Sequence, residues 1–164
     1  MNTNDPCIKL WFGGVSNFLD TASEPERSSF LTHCAKACSD SYPLALYRTA
    51  FSEGRTISEA LEYLKDSFSG FSYTIFSDRI ELEYPECGCD LLKEGLITSP
   101  RLCECSEASL LYIWQDIFGP GTVSVVTKKT RIGGDECCLF CCWDKKLSIK
   151  NLHLSKYEKT KNTL

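Results

Sequence analysis

Six of the eleven cysteines in this 164-residue chain fall into three close pairs: Cys34 and Cys38, Cys87 and Cys89, Cys103 and Cys105. On a helix, positions i and i+4 set two thiols on one face about 6 Å apart, close enough to share an ion and strained for a mutual disulfide. In an extended segment, C-x-C also points both sulfurs the same way. Soft thiolates so placed suit zinc, which takes four ligands tetrahedrally, or an iron–sulfur cluster. Six candidates exceed four seats. One site can use two pairs and spare the third, one site can draw singly from several pairs, or the thiols can form a metal-free redox cluster. The reading favoured is a zinc site of Cys87, Cys89, Cys103 and Cys105, with Cys34 and Cys38 as further candidates. The two C-x-C pairs are close in sequence, so closing the loop between them costs little entropy. The plain alternative is that these cysteines are small buried hydrophobes.

The other five cysteines carry less. Cys137, Cys138, Cys141 and Cys142 crowd a segment with Phe140 and Trp143, where filling a core explains them, and Cys7 stands alone. His33 adjoins Cys34, but neighbouring helical residues point about 100° apart, which makes it a surface residue. For catalysis, Cys103 and Cys105 lie near a predicted helix N-terminus, where a thiol's pKa falls, so either is a candidate nucleophile. With only His33 and His153 in the chain, no Cys–His pair is evident. Nucleophile-elbow, phosphate-loop and HExxH motifs are absent.

The elements that must position these residues follow from periodicity and caps. Residues 1–24 read as a hydrophobic lead-in, with Leu10, Trp11 and Phe12, broken at Gly13-Gly14. Ser23-Glu24-Pro25-Glu26 then opens a helix over about 25–39 that carries Cys34 and Cys38 on its apolar face. Thr56 with Glu59 predicts a capped helix over 57–67, closed by Gly70. Residues 72–76 and 79–84 alternate as a tight hairpin, with Cys87 and Cys89 in the loop that leaves it. Ser106 and Glu107 start a helix with Leu110, Leu111, Trp114, Ile117 and Phe118 at helical spacing, stopped by Gly119-Pro120-Gly121. Residues 123–126 and 138–143 flank Gly133-Gly134-Asp135 as a second hairpin. This order predicts a single α+β domain over 25–143, a twisted antiparallel sheet with helices packed on one face.

Charge and composition narrow the partners. The net charge of −4 gives no basic surface for nucleic acid. Residues 144–164 form a basic tail, with six lysines and one glutamate from Lys145 on, an excess there of five positive charges, and read as a frayed terminus. No apolar run reaches membrane-spanning length, and polar Asn2–Asp5 stand where a signal peptide would place its basic residues, so the expectation is a cytoplasmic chain without a membrane partner. That compartment favours metal or free thiols over disulfides.

The succession HCAKAC, ECGCDLLKEGLITSPRLCECSEASLLYIWQDIFG and VSVVTKKTRIGGDECCLF, over about residues 28–143, resembles a cysteine-rich prokaryotic family. That family is distantly similar to L-2-amino-thiazoline-4-carboxylic acid hydrolase-like proteins and to small-ligand-binding domains of the 4-vinyl-reductase type. The resemblance implies an α+β domain, a metal or thiol centre near the cysteines, and a pocket for a small apolar or aromatic molecule. Cys34, Cys38, Cys87, Cys89, Cys103, Cys105 and Cys137 match its pattern; Cys138, Cys141, Cys142 and Ala35 depart from it. Tyr112, Trp114, Phe118 and Phe140 are then candidate pocket walls, against the plainer reading that they are core. Three functions remain in contention: a metal-bearing ligand sensor, a thiol-dependent hydrolase or reductase using Cys103 or Cys105, and an assembly module that docks through Leu10, Trp11 and Phe12.

Overall fold

A computed structural model describes residues 5–52 and 55–144. The basic tail and His153 lie outside the described residues. Helix α1 (Pro6–Thr21) begins at Asp5, whose carboxylate accepts the Cys7 N–H at 2.8 Å, with Pro6 in the first turn. The stretch read as a broken lead-in is therefore one continuous helix. Gly13 and Gly14 each cost a helix interior about 1 kcal/mol relative to alanine. Burial of Leu19 and Ser16 offsets that cost: Ser16 Oγ accepts from the Thr98 N–H at 3.2 Å, and Asp20 accepts from Ser99 Oγ at 2.6 Å.

Helix α2 (Glu24–Ser41) starts at a capping box in which Glu26 accepts the Ser23 N–H at 3.1 Å. Helix α3 (Pro43–Ala50) follows at once and buries Leu44, Tyr47 and Ala50, an element that the cap and periodicity signals do not predict. Helix α4 (Ile57–Ser67) runs as expected from the Thr56/Glu59 box, where Glu59 accepts the Thr56 N–H at 2.7 Å.

Strands β1 (Ser72–Ile75) and β2 (Ile80–Tyr84) form the first hairpin. A loop with Cys87 and Cys89 leads to the short helix α5 (Asp90–Lys93). A 3-10 turn (Pro100–Leu102) then enters helix α6 (Cys103–Phe118) directly. Strands β3 (Val123–Lys129) and β4 (Cys138–Asp144) complete an antiparallel sheet of order β1-β2-β4-β3. The molecule is thus the predicted α+β domain. β3 runs three residues past the expected Val126, through an irregularity between Thr127 and Lys129.

One sheet face meets the helices. Ile80, Leu82, Val123, Val125, Cys138, Phe140 and Cys142 pack there with Tyr47, Phe51, Leu61, Leu64, Ile113 and Trp114. Strand alternation sends Cys141 to the opposite face, where it is still buried and its thiol lies 3.8 Å from Glu81 Oε1. A second, smaller cluster of Leu19, Leu31, Ile97 and Leu102 joins α1 and α2 to the segment before α6, with Cys89 and Cys105 packed against it. No helix among the described residues is long and apolar enough to cross a membrane.

Candidate thiol centre

Helix α2 meets α6 along a line of small residues. Ala35 and Ser39 are fully buried in α2, and Ser39 Oγ lies 2.6 Å from Ser109 Oγ of α6 while donating to the Ala35 carbonyl at 2.8 Å. Two further contacts fix the pairing. Arg27, itself buried, donates from Nε to Glu104 at 2.9 Å, and the Tyr112 hydroxyl donates to Asp40 at 3.1 Å. Cys105 sits one turn before Ser109 and so shares the face turned toward α2, where Cys34 and Cys38 flank Ala35.

The electrostatics of the thiols agree with that placement. Burial pushes the Cys105 thiol up to about 12, and the nearby Cys38, Cys34, Cys89 and Cys103 push it in the same direction. Cys38 is raised by burial and then by Cys89 and Asp90, and Cys34 is raised by burial. Thiols of α2, the α5 loop and α6 are thus electrostatic neighbours near the α2–α6 junction.

Cys103 belongs to the other side of α6. Both residues of this pair are helical, and two residues along a helix turn through about 200°, so their side chains diverge. Burial pushes Cys103 up to about 12 as well; the thiols of Cys138, Cys87 and Cys89 act on it in the same direction, and the Thr130 hydroxyl donates to it. The expectation that this C-x-C points both sulfurs one way is thereby overturned, because the helix begins three residues before Ser106. Ser99 is the cap that starts this segment, with Oγ accepting the Arg101 N–H at 3.2 Å before Pro100–Leu102 makes the 3-10 turn. Cys87 is a neighbour of Cys103, and Cys89 is a neighbour of Cys103, Cys105 and Cys38 alike.

Cys138, read from sequence as strand filling, is a neighbour of Cys103 and accepts the Arg131 N–H at 3.4 Å. Its position after the glycine turn is legible, but its partner across the fold is not. The four aromatic candidates lie in the main core or at its rim. Trp114 and Phe140 are 3% and 4% exposed within the main core, and Phe118 packs edge-on to Phe51 at 5.4 Å. Tyr112 lies at the core rim, with the Lys36 ammonium 5.1 Å from its ring centroid. An apolar groove of about 520 Å³ lies elsewhere, lined by Leu10, Trp11, Gly14, Val15, Phe18 and Phe30.

A thiol near a helix N-terminus gains thiolate character only if burial does not oppose it, and at Cys103 and Cys105 burial dominates. His33 gives no assistance, since its Nδ1 lies 2.8 Å from the Ser29 carbonyl of its own helix. Among the described residues, no group of three or more His, Cys, Asp or Glu side chains stands in the arrangement that holds a metal ion. The junction thiols are neighbours, and ligation requires them to rotate onto a common point. No protein-family model matches the chain, and no curated protein matches it.

Proposed function

We propose that this chain is a metal-responsive thiol domain in which Cys34, Cys38, Cys89 and Cys105 close on one zinc ion at the α2–α6 junction. The observation that supports this reading is that half-buried Cys105, one turn before Ser109 at the α2–α6 contact, has Cys38, Cys34 and Cys89 among the thiols that act on it. Four thiolates satisfy tetrahedral zinc at about 2.3 Å. Cys34 and Cys38 hold adjacent seats on one helix, so only Cys89 and Cys105 need tertiary positioning. Each thiol gives up its proton on binding, so uptake of the ion releases protons and strengthens with pH. Because the α5 loop supplies one ligand and two helices supply the rest, the ion ties the loop to the helix pair. That coupling is what a sensor needs: occupancy is read as loop position.

Protein purified without added metal is expected to carry close to one zinc per chain by elemental analysis. Cys38→Ser and Cys105→Ser are expected to lose most of it, and Cys87→Ser to keep it. A well-folded, metal-free protein whose eleven thiols all titrate would overturn the reading. Stoichiometric iron in place of zinc would also overturn it, as would loss of metal through Cys87 and Cys103 instead of Cys38 and Cys105.

A further inference from the structure

Helix α1 presents a face that the rest of the fold leaves open. Leu10 is 79% and Trp11 66% exposed, and Phe18 meets Phe30 edge-on at 5.4 Å along the floor of the apolar groove between α1 and α2. On the same helix, a Cβ added at Gly13 or Gly14 would meet nothing within 4 Å. Neither glycine is required by a neighbour within the chain, and each weakens the helix. Such glycines are accounted for by something that approaches the backbone from outside. We propose that this face is the interface of a two-fold dimer of the chain, in which Trp11 of each copy lies over Gly14 of the other.

The patch is self-complementary, as a two-fold interface requires. Trp11 is a knob and Gly14, one turn along, is a gap. An antiparallel pairing of two α1 helices, with the axis between residues 12 and 13, sets Trp11 against Gly14 and Leu10 against Val15 twice over. Area also suits a second copy. With Leu10 and Trp11 exposed as above and Phe18 and Phe30 38% and 37% exposed, these four side chains offer about 450 Å² per copy, taking roughly 150–250 Å² for each large side chain. With a polar rim this approaches the ~800 Å² per partner of a stable interface, and it is the size of a functional patch on a monomer. A lipid surface fits the charge less well. Interfacial helices are rich in Lys and Arg, whereas α1 has Lys9 alone and the chain carries −4.

The test is the mass of the full chain in solution across low-micromolar to hundred-micromolar concentration, by light scattering or sedimentation equilibrium. The expected result is a reversible species of twice the 18.5 kDa chain mass. Gly14→Leu fills the gap in open space, so helix content should be unchanged while the dissociation constant rises at least about thirtyfold, as for a central interface residue. Trp11→Ala should act in the same direction, whereas Val126→Ala on the sheet should leave dimerisation unaltered. A wild-type chain that is monomeric throughout would overturn the proposal, and so would a Gly14→Leu dimer as tight as wild type. Binding of the monomer to anionic vesicles through Trp11 would replace the second copy with a membrane. None of these readouts depends on zinc, so the interface and the metal site stand or fall separately.

Discussion

The α2–α6 junction and strand β4 are both crowded with cysteine, yet the fold uses the residue in opposite ways. At β4, Cys138, Cys141 and Cys142 are all at least 94% buried, and Cys142 is one pleat from Phe140 in the core. At the junction, Cys34, Cys89 and Cys105 are half-buried and Cys38 is exposed. The first group behaves as small hydrophobes, and the second keeps access to solvent and to one another. Cysteine density alone therefore says little; the element carrying the thiols decides what they can do.

Alkaline pH should have the largest effect, and it acts most strongly on the β4 side, where thiol and tyrosines are buried together. Burial raises the Cys142 thiol above its ordinary 9.0, and burial holds Tyr47 well above its ordinary 10.0. Tyr84 is raised by the same cause, although the Tyr47 hydroxyl 3.2 Å away opposes part of it. A group whose pKa is higher folded than unfolded contributes stability that is whole below the unfolded value and is lost as pH rises beyond it. The metal-free protein should therefore unfold cooperatively above about pH 9–10, with tyrosine ionisation following the unfolding transition instead of preceding it. Smooth ionisation of Tyr47 and Tyr84 in a folded protein would show this face of β4 to be open.

Next in size is Phe140→Ala. If Phe140 is core, its loss should cost about 3–5 kcal/mol in denaturant unfolding, with the slope unchanged. A pocket wall would cost far less and would alter ligand binding instead. The same contrast shows what was legible in the sequence. α4, α6 and the two hairpins were readable because caps, glycine stops and periodicity all agree there. α3 was not, because Ser41-Tyr42-Pro43 reads as a loop while Pro43 in fact sits in the first turn of a new helix. The start of α6 lies at Cys103 and not at the expected Ser106, because Ser106-Glu107 imitates a cap inside a helix already begun. That shift of one turn rotates the C-x-C sulfurs apart. Joining α2 to α6 was beyond local pattern altogether, since Ala35 and Ser39 show their importance only when Ser109 is seen against them.

The smallest effect makes the sharpest comparison. Cys142→Ser puts a hydroxyl where the core supplies Phe140 and Tyr47, at a cost of about 1–3 kcal/mol unless it finds a partner. Cys38→Ser at an exposed helical site should change the stability of the metal-free protein by no more than about 0.5 kcal/mol. Yet Cys38→Ser is the substitution expected to lose zinc, and Cys142→Ser the one expected to keep it. Stability and metal content should thus respond in inverse order to the same chemical change at two cysteines. A Cys38→Ser protein that is destabilised before metal is added would show that the junction thiols pack as β4 does, and the distinction between the two regions would fall with it.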